Sequence, residues 1–128
     1  MATYLKTLPS GAEPPSTPPP SERVMAAGGK LYEQHCALCH GAKGEGVASA
    51  WPPLAGNTSV LADSPANILQ AILRGGYAPA TESNPRPHGM PPFHALNDSD
   101  VAAIATYIRN SWGNQARPVD PHEVTPLR

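Results

Sequence analysis

Apolar residues recur at helical spacing in three stretches of the chain, with polar or proline-rich sequence between them. The first stretch runs from Ser21 or Glu22 to the segment at residue 36. Val24, Gly28, Leu31, Tyr32 and His35 fall on one side of it, and Glu22, Lys30 and Glu33 can remain wet. Gly28 and Gly29 each cost about 1 kcal/mol of helix propensity, so glycine on the inner face predicts close approach by another helix. The second stretch has Ser64 as N-cap, Pro65 at the first helical position, an apolar face of Ile68, Leu69, Ile72 and Leu73, and Gly75-Gly76 as the stop. In the third, Asn97 can cap, Leu96 and Val101 can form a hydrophobic staple, and Asp100 occupies the capping-box position. Its buried stripe is Val101, Ile104, Ala105, Ile108 and Trp112, and Gly113 ends it.

Between these helices, residues 41–56 and 75–94 read as loops. Trp51-Pro52-Pro53-Leu54 cannot form a helix interior. The prolines at 79, 85, 87, 91 and 92 restrict the second loop, so it loses less entropy when it folds over something. The pattern predicts an all-α fold with long Pro/Gly-rich loops. Beyond Gly113 the sequence reads as a polar tail, with prolines at 118, 121 and 126, that lies on the surface.

Composition narrows the picture. A chain of 128 residues is one domain by length, and its 17 prolines and 11 glycines leave much of it outside regular structure. One Phe, two Trp and four Tyr are little with which to fill a core, so a large apolar cofactor in the middle would contribute much. The net charge of −1, without a basic stripe, excludes a nucleic-acid partner. No apolar run is long enough to span a bilayer.

The candidate chemistry lies in Cys36-Ala37-Leu38-Cys39-His40, the spacing that attaches a c-type haem. One short turn presents both thiols to the vinyl edges of a porphyrin, and the next side chain lands under the iron. Cys36 and Cys39 would become thioethers and His40 the proximal ligand. Two other uses of the cysteine pair fit less well. Zinc needs two further ligands, and the chain has no other cysteine. A redox dithiol expects a βαβ context, whereas Gly41-Ala42-Lys43-Gly44-Glu45-Gly46 follows here. A ligating imidazole needs its second nitrogen satisfied, and the carbonyls of Pro52 and Pro53 are candidates. Trp51 and Leu54 are expected to pack on the haem edge. Arg74, in the last turn of its helix, complements the helix dipole, with a haem propionate as a second candidate partner.

The sixth position on the iron decides the function. A methionine thioether favours reduced iron and raises the potential. Met1 is terminal and Met25 lies in the first helix, whereas Met90 sits in His88-Gly89-Met90-Pro91-Pro92-Phe93-His94 with prolines fixing the backbone behind it. Met90 is the favoured ligand, with His88 and His94 as the other candidates. Otherwise His88 and His94 are read as exposed loop residues, His35 as packed on its helix and His122 as inert.

Across residues 22–113 these features resemble the class I cytochromes c. The resemblance rests on an N-terminal helix with Gly28 or Gly29 and Tyr32, the motif Cys36 to Gly41, Pro52 followed by Leu54, Met90-Pro91 in a loop, and a final helix with Tyr107. It implies a small all-α bundle wrapped round one covalently bound haem c, with the first and last helices crossing near Gly28 or Gly29 and Tyr107. It also implies that Pro52 carries the carbonyl that receives the proximal histidine's proton. More narrowly, Gly89 to Phe93, the helix entry at Leu96 to Asp100, and Tyr107 to Asn114 resemble the last domain of the multi-haem cytochrome subunits of membrane-bound bacterial dehydrogenases. Those subunits serve alcohol, sugar acid or aldehyde dehydrogenases, and similar cytochromes serve molybdenum hydroxylases.

The expected organisation follows from this resemblance. Ala2-Thr3-Tyr4-Leu5-Lys6 repeats, with conservative changes, as Ala105-Thr106-Tyr107-Ile108-Arg109, so residues 1–8 read as the remnant of a preceding domain's terminal helix. Residues 9–21, with six prolines, read as an extended linker. Residues 22–113 form the domain and 114–128 the tail. The N-terminus lacks a signal peptide's pattern, whereas haem attachment by this motif belongs to the periplasmic side in bacteria, so either the signal has been removed or the chain is a piece of a longer exported protein. Expected partners are neighbouring haem domains, other redox proteins and a dehydrogenase subunit, with membrane association only through the parent complex, in the periplasm or at the periplasmic face of the inner membrane. The expected role is electron transfer with no catalytic residue, and the competing one is a haem enzyme or gas sensor assisted by His88 or His94.

Overall fold

A computed structural model describes residues 18–48, 50–77, 80–83, 85 and 88–128. In chain order its elements are α1 (Glu22–His35), α2 (Ala37–His40), α3 (Thr58–Leu61), α4 (Ala66–Arg74), β1 (Gly76–Tyr77), β2 (Gly89–Met90), α5 (Asp98–Arg109) and α6 (Pro121–Val124), then a 3-10 turn at Thr125–Leu127. Residues 1–8 and 9–17, assigned above to a remnant helix and most of a linker, lie outside the described residues.

Local signals set the helix starts. The Ser21 hydroxyl accepts from the Val24 N–H at 3.2 Å and caps α1. Asn57 caps α3 by accepting from Ser59 N–H at 2.9 Å, and Asn97 caps α5 by accepting from Asp100 N–H at 2.8 Å. The Ser64 hydroxyl accepts from Ala66 N–H at 3.3 Å, so the expected cap is present although the helix proper starts at Ala66. Gly75 ends α4 at φ 61.

Two long helices, α1 and α5, form the centre. They cross where Gly28 meets α5: a Cβ on Gly28 would strike the Ala103 carbonyl and come 2.8 Å from the Tyr107 Cβ. Below the crossing, Tyr32 is 2% exposed, and its ring lies 5.5 Å from that of Tyr107 and 5.0 Å from that of Trp112. The inward stripe of α1 is narrower than its spacing predicted, because Val24 stays exposed. α5 is buried almost all round, with Val101 to Thr106 and then Ile108 and Arg109 inside.

Two expectations need correction. α5 stops at Arg109 instead of running through Trp112 to Gly113, and Trp112 turns the chain at φ 56. Side chains take the carbonyls this frees: Asn110 Nδ2 donates to Thr106 O at 3.0 Å, Ser111 Oγ to Tyr107 O at 2.6 Å, and Asn114 Nδ2 to Ile108 O at 2.8 Å. Residues 114–128 are not a surface tail. Val119 and Val124 are buried, Val119 N–H donates to Thr106 Oγ1 at 2.9 Å, and Ala116 N–H donates to Arg109 O at 3.0 Å. Isolated valines between prolines carry no periodicity, which is why the burial escapes a reading of the pattern.

The end of this segment latches onto the start of α5. Arg128 donates to Asp98 at 2.5 Å and to His94 O at 2.8 Å, and Thr125 Oγ1 also donates to Asp98. The Thr125 hydroxyl first, and then Arg128, hold the Asp98 carboxyl below the usual carboxylate range. A carboxyl whose folded-state value is lowered adds stability that is complete above the ordinary aspartate range near pH 4 and is lost as pH falls through the lowered value. Asp98→Asn is therefore expected to be less stable than the parent at pH 6, with the gap closing as pH falls below about 4. Urea midpoints measured across that range check this, and a gap that stays constant with pH contradicts it.

Candidate functional site

α1 and α2 are broken at Cys36, which caps both: its N–H donates to Tyr32 O at 2.8 Å, and its carbonyl accepts from His40 N–H at 2.9 Å. The single turn of α2 carries Cys39 and His40. Tyr32 Oη fixes the exit by donating to Gly41 O at 2.6 Å. Local bonds on both sides thus set the direction of His40 before any cofactor is considered.

His40 is buried, and its Nδ1 lies 2.9 Å from Pro52 O. A carbonyl only accepts, so Nδ1 carries the proton and Nε2 keeps its lone pair for a metal. Of the two proline carbonyls considered above, Pro52 is the partner; Pro53 O accepts from Asn57 Nδ2 instead. The 52–56 segment is held to α5 by Asn114, whose Nδ2 donates to Leu54 O at 3.1 Å and whose Oδ1 accepts from Gly56 N–H at 2.8 Å. Asn114 is a residue that sequence reasoning missed, since an asparagine after a helix-ending glycine reads as ordinary turn.

Met90 reaches the same place from β2. Gly76 pairs with Met90 and Tyr77 with Gly89 in a two-stranded antiparallel ribbon, and Phe93 N–H donates to Ile72 O at 2.8 Å. Gly75 is required beside it: a Cβ there would strike the Met90 carbonyl and come 2.8 Å from the Pro91 carbonyl carbon. Among the described residues of the 75–94 loop the ribbon is the one paired element, and it carries Met90 to the cavity described next.

Cys36, His40, Pro52, Leu54 and Met90 all line one cavity of about 190 Å³, with Val60, Ile68, Ile72 and Ile108 supplying apolar walls and Asn57, Ser59 and Asn67 the polar contribution. Such a cavity, mostly apolar with two sulfurs and an imidazole at its wall, suits a flat apolar macrocycle with a central metal. Among the described residues Cys39 and Trp51 do not line it. The Trp51 ring lies 4.9 Å from that of His88. Arg74 is also directed elsewhere, with Nη2 donating to Leu127 O at 3.2 Å. His88 and His94 are exposed and do not line the cavity, and His35 meets the Phe93 ring edge-on at 5.5 Å.

The other uses of the cysteine pair lose ground on chemistry. Burial, and then neighbouring Cys39, push the Cys36 thiol up to about 11, whereas a redox dithiol works through a lowered value. Among the described residues, no three His, Cys, Asp or Glu side chains are placed to hold a metal ion together.

The sequence profile described as cytochrome c matches residues 25–112. The chain belongs to the cytochrome c family. Members of that family carry a covalently bound haem c and transfer electrons. The chain is 37% identical to the cytochrome c subunit of alcohol dehydrogenase (quinone) from Komagataeibacter europaeus, over all of this chain and 30% of that subunit. It is 33% identical to the gluconate 2-dehydrogenase cytochrome c subunit of Pantoea cypripedii, over 79% of this chain and 24% of the relative. With cytochrome c-552 of Thermus thermophilus it shares 32% identity over 82% of this chain and 76% of that protein. The chain thus spans about a third of the alcohol dehydrogenase subunit it matches and most of the small cytochrome. Among the described residues no helix is long and apolar enough to cross a membrane.

Proposed function

We propose that this cytochrome c domain passes single electrons through a haem tethered by Cys36 and Cys39 and ligated by His40 and Met90, as one domain of a larger dehydrogenase cytochrome subunit. The observation that carries the reading is that a histidine with a free Nε2 and a methionine sulfur line the same apolar cavity as Cys36. The haem supplies an iron that alternates between ferrous and ferric states. His40 is oriented by Pro52 O, Met90 favours the reduced metal by its soft sulfur, and the apolar walls keep water away. No side chain here needs to move a proton.

The parent subunit is proposed to sit at the periplasmic face of the inner membrane, with a dehydrogenase subunit or a neighbouring haem domain as donor and quinone or another redox protein as acceptor. The relatives named above support this by being dehydrogenase subunits of greater length. Nothing in the cavity favours a peroxidase or sensor reading, because its histidine candidates lie outside it.

Carbon monoxide tests the ligation: the reduced, haem-loaded protein is expected to bind it far less readily than a five-coordinate haem protein, and rapid binding would overturn the proposal. Mass spectrometry of the exported gene product tests the tandem arrangement. Several haems on a much larger polypeptide are expected, and a single haem on a chain of this size would contradict it.

A further inference from the structure

Among the described residues Arg109 is the largest side chain fully enclosed in the protein. Its Nη1 donates to Val60 O at 2.9 Å and to Ala62 O at 2.6 Å, and its Nε donates to Arg117 O at 3.1 Å. Nη2 is enclosed and has no partner. Every bond the guanidinium forms is to a neutral carbonyl. The two carboxylates whose charge it feels, Asp63 and Glu123, do not bond it, and Glu123 is occupied by Arg117 through both oxygens, at 2.7 and 3.1 Å. A buried cation with no bonded anion is costly, and arginine does not shed its proton.

Its position gives the charge a use. Ile108, the preceding residue, and Val60, whose carbonyl it holds, both line the cavity, so the charge stands directly behind the cavity wall. Since Nη2 is enclosed, no group in the cavity reaches it, and any effect acts through space. We propose that the buried charge of Arg109 raises the reduction potential of the iron. Oxidation adds one positive charge to the centre, and a fixed positive charge held in low-dielectric surroundings opposes that step with little screening by salt. Arg109 is a positioning residue for the α3 segment as well, but only its charge can act on the potential without changing the ligands.

The inference rests on the electron-carrier reading, and redox titration of the haem-loaded protein separates the two. A reversible one-electron couple with the iron–thioether band intact belongs to that reading, and its absence from the parent protein would defeat it. The shift among Arg109 variants tests the inference alone. Arg109→Met and Arg109→Gln are expected to lower the ferrous-to-ferric ratio at a given potential about tenfold, equivalent to about 59 mV for one electron, while Arg109→Lys stays near the parent. Equal shifts in the neutral and Lys variants, or none in any, would overturn it. Should neither neutral variant fold, Asp63→Asn gives the reading at low ionic strength. Removing that opposing carboxylate should then raise the potential, and an unchanged or lower value counts against the proposal.

Discussion

Replacing Met90 by alanine is expected to abolish the iron–thioether absorption band, open the reduced iron to carbon monoxide and lower the midpoint potential by on the order of 0.1 V, within the roughly 0.8 V that axial ligation spans. The effect should be confined to the ligand. The backbone of residue 90 is fixed by its pairing with Gly76, by the carbonyl packed on Gly75 and by Phe93 N–H on Ile72 O, none of which involves the side chain. Met90 is only partly buried, so the stability cost should sit near the low end of about 2 to 5 kcal/mol for methionine truncation. His88→Ala and His94→Ala are the controls, since both rings are exposed and away from the cavity, and their spectra should match the parent. An unchanged spectrum in Met90→Ala, with loss of the band in either histidine variant, would transfer the ligand role.

The second large effect is expected at the helix crossing. An added Cβ on Gly28 meets the Ala103 carbonyl, its carbon at 2.8 Å, and the Tyr107 Cβ at 2.8 Å. All are backbone or first side-chain atoms, which cannot swing aside, so α1 and α5 would have to part. Alanine regains about 1 kcal/mol of helix propensity, while overpacking costs roughly 1 to 3 kcal/mol and the loss of the aromatic contacts below adds to it. Gly28→Ala is expected to be destabilised by about 2 kcal/mol, or about 10 °C in midpoint for a domain of this size, and Gly28→Val by more. At Gly29 the nearest atom is the ring edge of Tyr107 at 3.1 Å, which can give way, so Gly29→Ala should lie within about 1 kcal/mol of the parent. Thermal unfolding of the haem-loaded variants measures the contrast, and equal losses at the two glycines would refute the asymmetry.

What could be read from the sequence was local. Ser64 and Asn97 announce their helices because a cap acts within three residues. The cysteine and histidine spacing announces its cofactor because one turn must satisfy it, and the close approach at Gly28 follows from a glycine on an apolar face. What could not be read depends on partners far along the chain. Arg109 near a helix end reads as a solvated cation, and its burial needs the carbonyls of Val60, Ala62 and Arg117 gathered from two other segments. Val119 and Val124 disappear among prolines until Thr106 and α5 give them a surface to cover. The ring that Trp51 meets is distant in the chain as well, at His88.

The short ribbon beneath Met90 has one further consequence. A strand that already presents its sulfur leaves the side chain's own rotors as the main freedom still to be settled at the metal. Small reorganisation between oxidation states suits the proposed electron-carrying role, because the backbone at Met90 is already paired with Gly76.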